Sequence, residues 1–166
     1  MIGATTWARD PRAAIADLEE CLSKADETTL NVIWFSSLGY LARCYAVVGD
    51  HGKAIEAVRR SVLVARDRGA AGTFAQALDY GGQALVTMSH DLEGATFLGA
   101  VEGGRVARRT LGGLLLDERL AAEETARDRL GDDAYDEAVR AGAALTMETA
   151  LVYALEVLDR LDSASG

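Results

Sequence analysis

Between Asp10 and Arg68, apolar residues recur three and four apart and are broken by short polar or glycine-bearing stretches. Nowhere in the chain do apolar and polar residues alternate at every second position, so the pattern predicts helices and no strands. Ile33, Trp34, Leu38, Leu41, Tyr45 and Val48 fall on one helical face. Gly49 closes that helix, because glycine tolerates the left-handed conformation common at a helix C-terminus. Asp50 is placed to cap the next helix, whose inner side carries Ile55, Val58, Val62 and Ala65 and which ends near Gly69. Asp10 followed by Pro11 is the same start signal one unit earlier.

The pattern repeats at an offset of 40 residues. Asp10-Pro-Arg-Ala-Ala-Ile lies over Asp50-His-Gly-Lys-Ala-Ile, Ala14 over Ala54 and Gly94, and Leu18 over Val58 and Leu98. Trp34, Leu38 and Tyr40 likewise pair with Phe74, Leu78 and Tyr80. A period in this range marks stacked helical units. Leu38, Leu41, Ala42 and Tyr45, then Ala54 and Val58, follow the spacing of the tetratricopeptide signature, with Ala42 and Ala54 where paired helices approach most closely. The tetratricopeptide unit is about 34 residues, so this one is longer between Val58 and Leu78. Met1 aligns with Leu41, which leaves the first unit without most of its first helix; either the chain is a piece of something longer, the expectation favoured, or its N-terminal helix is degenerate.

Beyond Leu98 the side-chain match fades. Further helices are expected from about Leu115 to Leu130, from Asp132-Asp133 through Tyr135, Ala138 and Val139, and from a cap at Thr146 through Leu151, Val152, Leu155 and Leu158. The expected architecture is all-α. It is a tetratricopeptide-like α-α superhelix, a right-handed stack of about eight helices forming a single domain over residues 1–166. Its units run about 10–49, 50–89 and 90–112, and helices at about 115–162 cap the end.

Phe97-Leu-Gly-Ala-Val-Glu102, Arg127-Asp-Arg-Leu-Gly-Asp-Asp-Ala-Tyr135, Ala138-Val-Arg-Ala-Gly142 and Leu145-Thr-Met-Glu-Thr-Ala150 together resemble the C-terminal part of large actinobacterial LuxR-type and related multidomain transcriptional regulators. In that family a nucleotide-binding switch domain precedes long tetratricopeptide-like repeats. The resemblance implies the repeat module of such a regulator, or of a related signal-transduction ATPase or cyclase. Two departures stand out: Val139 occupies the position where the family often has tryptophan, and no helix-turn-helix follows Leu161.

Composition narrows the chemistry. A net charge of −9 argues against direct nucleic-acid binding, since phosphate contacts supply most of that affinity. Lysine occurs only at 24 and 53 while arginine and alanine abound, a bias of high-GC bacterial genomes. Cys21 and Cys44 sit in apolar helical patterns and read as reduced cytosolic thiols. The stretch from Met1 to Pro11 lacks the basic flank and apolar run of a signal peptide, and no long apolar run follows, so a cytoplasmic protein that does not enter the membrane is expected. Gly49-Asp-His-Gly52-Lys53 departs from the phosphate-loop pattern at both ends and sits between helices rather than after a strand. His51 and His90 fall in turns without partners at metal spacing, and the acidic residues from Asp117 to Glu137 interleave with Arg119, Arg127 and Arg129 as a solvated, ion-paired face. No catalytic, cofactor-binding or metal-binding constellation is expected, so the chain reads as non-enzymatic.

In a stack of this kind the first helix of each unit lines a concave groove. Off the buried stripe these helices carry Ser36, Tyr40 and Arg43, and their counterparts Gln76, Tyr80 and Gln83. That set suits a protein or peptide partner, or another domain of the same regulator. The alternative is a small-molecule sensor closing the same groove on an effector. A homodimer through the N-terminal face of Ile15, Leu18 and Leu22 is also expected, unless Trp7 covers that face.

Overall fold

The computed structural model describes residues 10–24, 32–69, 71–103 and 113–164. Among them are eight helices and no strand: α1 (Pro11–Lys24), α2 (Val32–Val48), α3 (His51–Arg68), α4 (Ala71–Thr87), α5 (Asp91–Gly103), α6 (Gly113–Leu130), α7 (Asp132–Ala143) and α8 (Met147–Ala164). Trp7, the end of the expected third unit at 104–112 and the side chain of Ile33 lie outside the described residues.

Helices α1, α3 and α5 start at 11, 51 and 91, and α7 starts at 132, one residue past the next step of forty. The spacing of helices therefore runs one pair further than the side-chain pattern does. Local chemistry explains the recurrence. Asp10 accepts a bond from the Ala13 amide at 3.0 Å and Asp50 one from the Lys53 amide at 3.3 Å, each satisfying an otherwise orphaned donor of the first turn. Gly49 (φ 82°) lets the Asp50 amide reach the Tyr45 carbonyl at 2.9 Å. Forty residues later Ser89 takes the same left-handed conformation (φ 66°) and His90 reaches Leu85 at 2.9 Å. Thr146 and Thr149 cap α8 reciprocally, each hydroxyl accepting the other's amide at 3.2 and 2.9 Å.

Helix α2 packs against α1, α3 and α4; α4 packs against α2, α3, α5 and α6. With neighbours on so many sides, α4 is buried continuously from Ala77 to Val86. The most extensive helix pair is α5 with α7. It depends on glycine: a Cβ at Gly99 would stand 2.3 Å from the Val139 carbonyl oxygen, and one at Gly142 2.0 Å from that of Thr96. The last helix does not sit on α7 at the end of the chain's helices. It returns along α3, with smaller contacts to α5 and α4, where Arg59 pairs with Asp159 and Arg160 with Glu93. Ile15, Leu18 and Leu22 are half-buried against the core, so part of the face left open by the sequence pattern is covered by the chain itself.

Candidate functional site

Helices α2, α4 and α6 lie side by side, and residues forty positions apart meet across them. Gln76 Nε2 donates to Ser36 Oγ at 3.2 Å, and the Tyr40 and Tyr80 rings lie 5.4 Å apart, tilted by 45°. Arg119 Nη1 of α6 donates to Asp79 Oδ1 of α4 at 2.8 Å. Equal offsets along successive contacts mean that these helices run parallel and in register. Gly39 makes room for the tyrosine pair, since a Cβ there would fall 2.1 Å from the Tyr80 ring.

The six expected groove residues gather between α2 and α4, but three of them are more deeply buried than an open groove implies. Arg43 (6% exposed), Tyr80 (2%) and Gln83 (2%) are interior, while Ser36, Tyr40 and Gln76 are half-buried. Arg43 was expected on an exposed face. Instead its guanidinium lies 6.0 Å from the Tyr40 ring centre and pairs with Glu118 of α6 at 2.5 Å. Burial pushes the Tyr40 and Tyr80 hydroxyls above the ordinary tyrosine range, so both stay neutral hydrogen-bonding groups.

Beneath this cluster lies a charged network absent from the sequence expectation. Arg119 (4% exposed) donates to Asp79 (1%), to the Leu98 carbonyl at 3.0 Å, and through Nε to Glu123 at 2.7 Å, with Glu102 at 3.5 Å. Burial pushes the Asp79 carboxyl up, and Arg119 pulls it the other way. The remaining Asp79 oxygen accepts from Gln83 Nε2 at 2.9 Å. The acidic stretch of α6 and α7 is thus of two kinds. Asp132 and Asp136 form the expected exposed pairs with Arg127. Arg119, Glu118 and Glu123 turn inward, contrary to a wholly solvated face.

Where α2, α4 and α6 converge, a cleft of about 380 Å³ opens to solvent, with Arg43, Gln83, Thr87, Glu118, Thr125 and Arg129 on its walls. Its charges are matched locally: Arg43 with Glu118, and Arg129 with Asp91 at 3.2 Å. Gln83 Oε1 is buried there without a hydrogen-bond partner. The sequence did hold one signal for this network: the offset of 40 sets Asp79 opposite Arg119 with opposite charge.

His51 is exposed at the start of α3, and Cys44 is buried, its thiol pushed up to about 11 by that burial. Among the described residues no group of three or more histidine, cysteine, aspartate and glutamate side chains is placed to hold a metal ion, and no helix is long and apolar enough to cross a membrane. Compared with known proteins, the chain matches no family, no characterised protein and no solved structure.

Proposed function

We propose that the chain is a non-catalytic, tetratricopeptide-like interaction module, and that its partner seats in the cleft where α2, α4 and α6 converge. The carrying observation is the in-register contact of those helices at a constant offset, Ser36 with Gln76, Tyr40 with Tyr80 and Asp79 with Arg119. Stacked units that keep register generate an extended recognition surface along their first helices. The cleft is open to solvent rather than a sealed chamber, which supports a partner segment over an enclosed effector. On the resemblance of residues 97–150 to LuxR-type regulators, the natural partner is another domain of the same cytoplasmic regulator, such as its nucleotide-binding switch domain. A small-molecule sensor is the second reading, favoured by Gln83 Oε1, a buried acceptor without a partner among the described residues.

The test uses Thr87, an exposed residue on the cleft wall. Calorimetric titration with the switch domain encoded in the same reading frame is expected to show binding. Thr87→Trp should weaken it by about tenfold or more, as loss of a central contact does, without moving the thermal midpoint. Unchanged affinity would place the partner on another surface, and a reading frame without such a domain would refute the regulator context.

A further inference from the structure

We propose that α6 carries a second docking surface, its outward side, which receives a basic amphipathic helix of another protein in the place of the stack's next first helix. This surface is separate from the cleft and does not depend on it. Helix α6 inverts the usual order of an amphipathic helix. Among the described residues its buried side chains are Arg119 and Ala126, while Leu116 (43% exposed) and Leu120 (51%) lie on its solvent side. A helix with one apolar face ordinarily turns it to the core. Scattered exposed leucines are common, but these two stand one turn apart and form a single apolar edge.

Register identifies what that edge meets. Leu116 and Leu120 stand forty residues beyond Gln76 and Tyr80, which stand forty beyond Ser36 and Tyr40. At those positions α2 holds α4, Ser36 against Gln76 and Tyr40 against Tyr80. The first helices α2, α4 and α6 begin at residues 32, 71 and 113, so on a spacing of about forty a fourth would begin within α8. Yet α8 packs on α3, with smaller contacts to α5 and α4, and α6 packs against α4, α5 and α7. The stacking positions of α6 are thus left exposed at the end of the row. They continue the contact by which α2 holds α4, and the element that fits them is a helix.

Charge decides which helix. Asp117, Glu124 and Asp128 are exposed beside the leucines and share one stripe by their spacing. None of the three makes an ion pair among the described residues, whereas Glu118 and Glu123 on the inner side are matched by Arg43 and Arg119. Unmatched carboxylates along an apolar edge call for lysine or arginine on the helix that covers it. A second copy of the chain is the wrong occupant, since pairing through this face would set the acidic stripe against itself. The partner helix therefore carries leucine-sized side chains one turn apart, flanked by basic residues.

The experiment is fluorescence anisotropy with three labelled, alanine-based peptides of about 20 residues, long enough to hold helix on their own. One carries leucines four apart with lysines beside them. The second has glutamate in place of each lysine, and the third has serine in place of each leucine. The first should bind the unaltered chain about tenfold or more tightly than either of the others. Leu116→Ser/Leu120→Ser should weaken that binding by about tenfold or more at an unchanged thermal midpoint, because both positions are exposed. Asp117→Lys/Glu124→Lys should transfer the preference to the glutamate peptide. Should the serine variant fail to fold, that exchange of preference still decides. No binding of the first peptide at millimolar concentration would overturn the proposal. An equal loss in Glu148→Lys/Glu156→Lys, at exposed positions on α8, would reduce the binding to diffuse attraction of charge and overturn it too. An equal loss in Thr87→Trp would place the peptide in the cleft instead. Binding that appears only after Arg105, Arg108 and Arg109 are changed to serine, or a dimer dispersed by Leu120→Ser, would make the occupant the chain itself or its copy, and would equally refute a partner helix.

Discussion

Replacing Arg119 by methionine keeps the length of the side chain and removes its charge and all of its donors. Asp79 then keeps only Gln83 Nε2 as a donor, in a site where the carboxylate is 1% exposed. Breaking a buried ion pair by removing one partner costs about 3–5 kcal/mol, because the other charge stays desolvated. For a chain of this size each kcal/mol moves the thermal midpoint by about 2–4 °C, so a fall of roughly 6–20 °C is expected. The double variant Asp79→Leu/Arg119→Met removes both charges. Its remaining cost is the Gln83 Nε2 left without an acceptor, about 1–3 kcal/mol, while Glu102 and Glu123 are partly exposed and turn to water. The double variant should therefore be more stable than Arg119→Met alone, although it carries one more substitution. Urea unfolding followed by circular dichroism, with slopes compared to exclude a change in the unfolded state, measures all of this. Acid supplies an independent check. A carboxyl whose pKa is raised on folding holds its proton more tightly in the native state. Its contribution is thus greatest at low pH and is lost as pH rises from the unfolded value through the raised folded one. Without Arg119 that window widens, so the deficit of Arg119→Met relative to the unaltered chain should shrink on acidification. A single-variant cost below about 1 kcal/mol, or effects that simply add in the double variant, would refute the buried-pair reasoning.

Arg43→Glu should destabilise as well as alter the cleft, since it sets a second carboxylate against Glu118 in a buried position; a thermal midpoint within about 2 °C of the unaltered chain would contradict the burial. Ala54→Leu, at a fully buried position, should cost about 1–3 kcal/mol by overpacking, read from the same urea curves. With its thiol near 11, Cys44 is about one part in a thousand thiolate at pH 8, so a disulfide reagent should modify half-buried Cys21 first and Cys44 only slowly, its rate rising about tenfold per pH unit while the fold persists. Light scattering at tens of micromolar tests pairing through the N-terminal face: a dimer abolished by Leu18→Glu supports it, and a monomer rejects it.

Much of the local structure was legible because it is written in short-range chemistry. Asp10, Asp50 and Thr146 cap helices as their types predict, and Gly49 and Gly69 take positive φ where the apolar stripes end. Ser36 meets Gln76 and Tyr40 meets Tyr80, since the offset of 40 that grouped them is also the offset at which α2 and α4 touch. Their burial was not legible. Periodicity finds one apolar face, and α4 is enclosed on most sides, so its polar residues Asp79 and Gln83 look solvated in the sequence and are interior in the structure. Arg119 was missed for a related reason: it lies on α6, which pairs with α4 at the same offset although its side chains no longer resemble those of α4.

The constant offset has a consequence for how such a chain can change. Units that repeat at a fixed spacing invite duplication and deletion, since cutting out forty residues rejoins helices at equivalent points. Here the units are alike in outline but not interchangeable. Gly39, Asp79 and Arg119 occupy the same place in α2, α4 and α6: the first must be empty to admit the Tyr80 ring, and the second must be negative to receive the third. Excising residues 51–90 would preserve the helix spacing and leave Arg119 facing a glycine. Reordering the units would put a carboxylate where an aromatic ring has to fit. These helices behave less like identical beads than like keyed parts, with Gly39 fitted to Tyr80 and Asp79 to Arg119.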